Sequence, residues 1–220
     1  MGYYPIFVDL NGQPCLVIGG GSVAERKVAS LLDAQARVSV ISPRLTRQLE
    51  AWAAELRIRT LRRAYQSGDL RGFRLVFAAT SDQALHQRLA AEADAAGVLL
   101  NVADRPAVCS FIVPAVVSQG DLSIAVSTGG TSPAMAQKIR RQLSADFGPE
   151  YAQALQLLAR IRERLTRERL SSQERQHRFH SLVHSPLLDY LRDRKIDKLD
   201  ALLRVTLGEA YSLERLDFQV

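Results

Sequence analysis

Residues 14–28 read PCLVIGGGSVAERKV, and this stretch decides the fold. An unbroken apolar run of strand length, residues 15–18, leads directly into a helical pattern. Between strand and helix, Gly19, Gly21 and Ala24 match the G-x-G-x-x-G/A spacing of a dinucleotide-binding turn. Gly19 allows the tight turn, Gly21 leaves room for a pyrophosphate, and Ala24 lets the helix pack closely on the strand. The spacing therefore predicts a Rossmann-type site; the alternative is a glycine-rich turn that binds nothing.

The composition favours a globular protein that acts on a small molecule. Hydrophobic residues make up 47% of the chain, enough for a substantial core, and no stretch reaches the roughly 18 apolar residues of a membrane span. The net charge of +6 is spread along the chain without a basic tail, so we expect no nucleic-acid partner. Cys15 and Cys109 form neither a disulfide framework nor a metal cluster, and residues 1–5 are unlike a secretory signal. We therefore expect a cytoplasmic protein with no membrane association.

Strands and helices alternate over the first half of the chain. The apolar segment 3–10, which ends in the turn signal Asn11-Gly12, predicts an edge or hairpin-like strand. The alternation and the continuous apolar strands that follow predict an α/β fold with a parallel, doubly wound sheet. The predicted strands cover residues 15–18, 37–41, 56–61, 75–79 and 98–102, and the predicted helices cover residues 23–34, 44–56 and 83–96.

Polar residues gather where these predicted strands end, which is where an open α/β sheet binds its ligand. Ser42 stands where Rossmann NAD sites usually carry an acidic residue, so Arg44 beside it allows NADP as well as NAD on physical grounds. Asp104 follows the last strand, and by spacing alone it is either a catalytic carboxylate or an Asx turn. The predicted cofactor-binding residues at these ends are Gly19, Gly21, Ser22, Val23, Pro43, Arg44, Thr80 and Asn101.

The second half of the chain has a different pattern. Residues 110–115 and 122–126 predict two short strands. Ser132 followed by proline is a strong helix start, and the turn from Gly129 to Ser132 is either only a helix-start loop or an anion site made of free backbone N–H groups. From Tyr151 onward apolar residues recur at helical spacing, which predicts a small helical bundle.

Five blocks of the sequence together resemble a known family. They are VIGGGSVAERK at 17–27, AAT at 78–80, NVAD at 101–104, SFIVPA at 110–115 and GGTSP at 129–133. In this order and spacing they are similar to the precorrin-2 dehydrogenase/sirohydrochlorin ferrochelatase family, the N-terminal module of siroheme synthases. The resemblance implies NAD-dependent oxidation of precorrin-2 to sirohydrochlorin in siroheme biosynthesis. In many members it also implies insertion of a ferrous or cobalt ion, as a substrate, to give siroheme.

The resemblance covers essentially the whole chain and implies an architecture. Residues 1–113 would form an NAD-binding Rossmann domain, residues 114–150 a dimerisation segment exchanged between subunits, and residues 151–220 a helical domain that closes over the active-site cleft. The short strands of the middle segment would lack partners inside one chain, which fits a homodimer. No methyltransferase-length extension follows, so we expect a stand-alone module.

The resemblance also implies roles for individual residues. It favours NAD as the cofactor, and Asp104 as the catalytic residue that takes a proton as hydride leaves for nicotinamide, with chelation as a second role. Related proteins often have serine in place of Thr128, so the role of this bulkier hydroxyl stays open. The substrate-binding residues that it implies are Thr128, Gly129, Gly130, Thr131 and Ser132.

Three histidines, His177, His180 and His184, have the spacing of metal ligands on one helical face. Because Arg175 and Arg178 lie among them, a solvated or cleft-facing surface is the preferred interpretation, and we predict no resident metal.

One alternative function belongs to another class, a non-enzymatic nucleotide-sensing module whose helical tail contacts a partner. Asp104 and the turn at 129–132 favour an enzyme, since a sensor needs neither. His86, in the helix after the 75–79 strand, is expected to be structural.

Overall fold

The computed structural model describes residues 2–219, and the chain divides into two compact units, Met1–Val113 and Pro114–Val220. The strands of the first unit are β1 (Pro14–Ile18), β2 (Arg37–Ile41), β3 (Ile58–Leu61), β4 (Leu75–Ala78) and β5 (Leu99–Val102), and its helices are α1 (Ser22–Asp33), α2 (Arg47–Ala54) and α3 (Gln83–Ala96). The strands form a parallel sheet in the order β3-β2-β1-β4-β5. The predicted Rossmann-type α/β fold is therefore confirmed.

Helices cover both faces of this sheet. Helices α1 and α2 pack on one face, where Val17, Val40 and Phe77 are buried, and α3 packs on the opposite face against Leu16 and Leu100. Burial on both faces explains why the central strands are apolar at every position, as parallel strands between two helical layers must be.

Helix ends follow the local chemistry of the sequence. The Asp82 carboxylate accepts the backbone N–H of Leu85 at 3.0 Å and so starts α3. Thr46 caps α2 in the same way, which places the start of that helix later than residue 44. Helix α1 ends without a glycine, and Gln35 adopts the left-handed φ of 57° that its position requires.

Two predicted strands are wrong. Residues 3–10 form no strand, because the backbone of residues 2–9 finds no hydrogen-bonded neighbour within the described chain, and Phe7 is left 76% exposed. Residues 110–113 are also not a strand. The strand predicted there begins at Ala115 instead, just after Pro114, which has no N–H to offer a ladder.

The second unit starts with an antiparallel ribbon of β6 (Ala115–Gln119) and β7 (Leu122–Val126). It continues with α4 (Pro133–Asp146), α5 (Glu150–Arg167), α6 (Ser172–Val183), α7 (Leu187–Arg192) and α8 (Ile196–Leu207). Leucines of α5, α7 and α8 form its core with Tyr211, whose buried hydroxyl donates to the Glu168 carboxylate at 2.6 Å. The helical character after residue 151 is confirmed, whereas the division of this unit at residue 150 stays a prediction.

Across residues 2–219, none of the helices combines the length and the apolar character that crossing a membrane would require.

Candidate active site

Gly19 makes the turn at the carboxyl end of β1. Its φ is 116°, in the left-handed half of the map where a side chain is strained. A Cβ atom at this position would also collide with the backbone carbonyl of Ala79, just past the end of β4. Two independent reasons therefore require glycine at position 19: its left-handed conformation and the close contact between the loops after β1 and β4.

At Gly20 the backbone also comes close to another loop, although the G-x-G-x-x-G/A motif allows any residue at this position. A Cβ atom here would collide with the backbone carbonyl of Arg44 and lie 2.8 Å from the Ser42 Oγ. The carbonyl of Gly20 accepts the N–H of Thr46 at 3.0 Å, so the glycine loop is joined to the loop after β2. Sequence reasoning missed this role, because the contact joins residues more than twenty positions apart.

Gly21 has the opposite environment. Its φ of −89° suits any residue, and a Cβ atom there would meet no protein atom within 4 Å. Gly21 is the N-cap of α1 and offers no capping side chain, so the first N–H groups of the helix, including those of Ser22 and Val23, keep no partner in the described chain. Open space in front of unpaired N–H groups and the positive helix end fits the pyrophosphate of a dinucleotide.

The loop after β2 carries Ser42, Pro43 and Arg44. Ser42 is only 8% exposed, and its hydroxyl donates to the Arg44 carbonyl at 2.7 Å. The residue that replaces the usual acidic group is therefore committed to closing its own loop. Pro43 and Arg44 are exposed, and Arg44 forms no ion pair with any described residue. Arg44 is thus free to contact a ligand at this strand end.

Thr80 lies two residues beyond β4 and Asn101 is the residue before the last of β5, and both already make hydrogen bonds within the protein. The Thr80 carbonyl accepts a hydrogen bond from His86 Nε2 at 2.8 Å, which holds the loop after β4 to α3. His86 is 6% exposed, in keeping with the structural role expected for it. The Asn101 amide donates to the Phe111 carbonyl at 3.0 Å and fixes the segment that follows β5.

Asp104 lies in a turn two residues beyond β5. The turn is anchored by the N–H of Ala103, which donates to the Ala78 carbonyl at 2.9 Å. Asp104 itself has a φ of 59°, a left-handed conformation that aspartate tolerates better than most residues. Its side chain is exposed, and its carboxylate has no hydrogen-bond partner among residues 2–219. An unpaired carboxylate on a constrained turn is suited to accept a proton from a ligand.

These residues converge on one edge because of the strand order. Strands β2, β1, β4 and β5 are consecutive neighbours, and parallel strands end at the same edge of a sheet. The structure therefore brings the predicted cofactor residues and Asp104 to a common edge of the first unit. Their binding and catalytic roles remain predictions.

The turn from Thr128 to Ser132, in the second unit, provides little of the row of free N–H groups that the anion-site alternative requires. The N–H of Gly129 donates to the Ser127 hydroxyl, that of Ser132 to the Thr128 hydroxyl at 3.1 Å, and that of Thr131 to the Thr128 carbonyl. Gly130 alone keeps an unpaired N–H among the four positions from 129 to 132 in the described chain. Because the Thr128 hydroxyl accepts internally, its proton is free to be donated outward.

The described residues offer no clustered set of metal ligands. Residues 2–219 contain no group of three or more His, Cys, Asp or Glu side chains arranged to hold an ion. His180 of α6 and His184, which caps the end of this helix, stack at 4.1 Å between ring centroids, and both are exposed, as is His177.

Comparison with known proteins identifies the first unit. Residues 6–115 match the family described as putative NAD(P)-binding. The chain belongs to this NAD(P)-binding family. Residues 119–145 match a second family model, described as the central part of a sirohaem biosynthesis protein. The predicted cofactor class is thereby confirmed as NAD(P).

Curated relatives and one solved structure extend this assignment. The siroheme synthase of Nitrosococcus oceani is 42% identical over 75% of this chain, and that of Methylococcus capsulatus is 33% identical over 98% of it. The chain spans 35% and 45% of these two relatives, less than half of each. The solved structure of SirC, a precorrin-2 dehydrogenase, matches over 89% of this chain and all of its own, with a TM-score of 0.72 and 26% identity. The resemblance to the siroheme synthase family is confirmed.

Proposed function

We propose that the chain oxidises precorrin-2 to sirohydrochlorin with NAD. The observation that carries this proposal is the match to SirC, a precorrin-2 dehydrogenase that the chain covers over its full length. The siroheme synthases are longer than this chain, so they support the pathway rather than a particular step. The free cysteines Cys15 and Cys109 suit a reducing compartment, and we place the activity in the cytoplasm.

The cofactor would be held at the carboxyl edge of the first unit. The N–H groups at the start of α1, those of Ser22 and Val23 among them, would bind the pyrophosphate, with Gly21 leaving the space open. Pro43 and Arg44 would lie against the adenosine side, and Thr80 and Asn101 would line the remainder. When bound, NAD accepts a hydride from the substrate. The resemblance favours NAD, whereas Arg44 alone would also accept a 2′-phosphate.

Asp104 would be the general base. Oxidation of the macrocycle removes a hydride and a proton, and the unpaired Asp104 carboxylate is a group at this edge that can take the proton. Its fixed turn after β5 limits where the carboxylate can reach, which favours one position on the substrate.

The turn at Thr128 to Ser132 would bind carboxylates of the substrate. Its internal hydrogen bonds leave the protons of the Thr128 and Ser132 hydroxyls free, so hydroxyl donors rather than a row of backbone N–H groups would make the contacts. Residues 114–150 would also mediate a homodimer. The exposure of Val116, 41%, and the unpaired outer edges of the two-stranded ribbon support this, because a second copy could cover both.

Metal insertion into sirohydrochlorin is the second candidate activity, with ferrous or cobalt ion as substrate. The relatives named siroheme synthase support it. Asp104 would serve there as well, by accepting protons that leave the macrocycle when the metal enters.

The test is to mix the chain with NAD and precorrin-2 without oxygen and to follow NADH and sirohydrochlorin by absorbance. Stoichiometric formation of both supports the dehydrogenase. Binding of NAD without turnover would instead favour the nucleotide-sensing alternative. The same assay with sirohydrochlorin and either ferrous or cobalt ion decides the second activity.

A further inference from the structure

Lys27 is a half-buried cation whose acidic neighbour is the weakly acidic thiol of Cys109 rather than a carboxylate. It lies on α1, just beyond the glycine loop, with its Nζ 4.8 Å from the centre of the Phe77 ring. None of the ion pairs among residues 2–219 includes it. Burial, and secondarily the charge of Arg26, lowers the pKa of this ammonium group, and the Cys109 thiol opposes the shift only in part. Contact with an aromatic face compensates only part of the cost of removing a charge from water.

The surroundings of Lys27 connect it to the candidate active site. Phe77 stands opposite Asn101 in the register of β4 and β5, so both side chains lie on the sheet face that α1 covers. Phe111 packs edge-on against Phe77 at 5.6 Å between ring centres, and its carbonyl is held by the Asn101 amide. The ammonium group is therefore part of a cluster of aromatic and amide groups from β4, from β5 and from the segment after β5, and Asp104 lies just beyond β5.

The pyrophosphate of the dinucleotide is an unsuitable anion for Lys27. The backbone of Lys27 lies about 7.5 Å along the helix from that of Ser22, and the contact of its Nζ with the Phe77 ring keeps the ammonium over the sheet rather than in front of the N–H groups at the helix start. The ammonium also lies over β4 rather than over the loop after β2, where the adenosine side of the cofactor is expected. A second anionic ligand beside the cofactor fits better.

We propose that Lys27 is a binding subsite for a peripheral carboxylate of the tetrapyrrole substrate, with Phe77 and Phe111 as its apolar walls. The proposal rests on the proposed function, since precorrin-2 and sirohydrochlorin are polycarboxylates. A charge-assisted hydrogen bond in a partly desolvated site would orient the macrocycle and add affinity. Lys27 is thus a substrate-binding residue, distinct from the proton acceptor Asp104.

The experiment measures binding of uroporphyrin I, a stable octacarboxylate porphyrin, by fluorescence quenching of the porphyrin. Lys27→Met is expected to raise its dissociation constant about ten-fold or more, and to raise the KM for precorrin-2 by a similar factor, with NAD affinity unchanged. Lys27→Arg keeps the charge and should recover most of the affinity. The matched control is Arg26→Met, which removes an exposed charge one position away and should have little effect.

Each other outcome overturns the assignment. Wild-type affinity of Lys27→Met for uroporphyrin would show that Lys27 does not bind the substrate. Equal loss of affinity in Arg26→Met would show that only the overall positive charge of this surface matters. Weakened NAD binding in Lys27→Met would show that Lys27 contacts the dinucleotide instead. Thermal unfolding checks that each variant is folded, and Lys27→Gln replaces Lys27→Met should the latter not fold. A wild-type chain that binds no uroporphyrin and oxidises no precorrin-2 would instead refute the proposed function itself.

Discussion

Two adjacent glycines are expected to respond in opposite ways to a side chain. At Gly20 a Cβ atom overlaps the Arg44 carbonyl, which is backbone and cannot rotate away. At Gly21 a Cβ atom meets nothing, and the extended φ accepts even a β-branched residue. Gly20→Ala should therefore affect folding, whereas Gly21→Val should affect the ligand.

The magnitudes follow from these contacts. Gly20→Ala forces apart the loops after β1 and β2 and should cost about 1–3 kcal/mol of unfolding free energy, as overpacking generally does. Gly21→Val only replaces an N-cap glycine by a poorer cap, at a cost of up to about 1 kcal/mol. If its side chain displaces the pyrophosphate from two backbone N–H groups, about 3 kcal/mol of binding free energy is lost. That corresponds to an increase of about a hundred-fold in the dissociation constant for NAD.

Urea denaturation and calorimetric titration with NAD separate the two effects. Gly20→Ala should show a lower urea midpoint with an unchanged slope, and Gly21→Val a near-normal midpoint with greatly weakened NAD binding. Normal NAD affinity in Gly21→Val would refute the placement of the pyrophosphate. Wild-type stability in Gly20→Ala would refute the close contact between the two loops.

Three further predictions concern the cofactor, the assembly and acid stability. Arg44→Ala should bind NAD almost as tightly as wild type does in calorimetric titration. If wild type strongly preferred NADP and this variant lost the preference, the cofactor would be NADP and not NAD. Sedimentation at micromolar concentration should show a dimer, and a single species of 24.4 kDa would contradict it. The Arg63 guanidinium, bonded to Asp69 at 2.6 and 2.7 Å, holds the pKa of that carboxyl below its usual range. The stabilisation by this pair is thus complete above the unfolded-state pKa near 4 and is lost as pH falls through the lower folded-state pKa. Asp69→Asn should therefore lower the urea midpoint at neutral pH but not in strong acid. If the midpoints of variant and wild type differed by the same amount at both pH values, the ion pair would not be the source of the stability.

Features set by local chemistry could be predicted from the sequence. The strand, glycine turn and helix of residues 14–33 lie where the motif indicates, and Asp82 and Ser132 cap the helices that follow them. These features depend on backbone conformation and on contacts within three or four residues, which a single sequence expresses directly. The gathering of Thr80, Asn101 and Asp104 at one edge follows from the parallel order of the strands.

Features set by distant contacts could not be predicted. Glycine is needed at position 20 because of the nearby Arg44 carbonyl, and the spacing of the motif does not indicate this contact. Segment 3–10 has the apolar content of a strand but pairs with neither edge strand of the sheet, β3 or β5, and strand pairing is not encoded locally. The internal hydrogen bonds of Gly129 and Ser132 depend on how two hydroxyl groups turn.

We expect Asp104 to be the base in the oxidation of precorrin-2 by this chain. Single-turnover oxidation of precorrin-2 by Asp104→Asn, measured beside wild type with saturating NAD, tests it most directly. Asparagine accepts the left-handed backbone of this turn and keeps the shape of the side chain, so the variant removes the base alone. The rate should fall about 10²–10⁴-fold while the dissociation constant for NAD stays the same. A near-normal rate of NADH formation by Asp104→Asn would show that Asp104 is not the base.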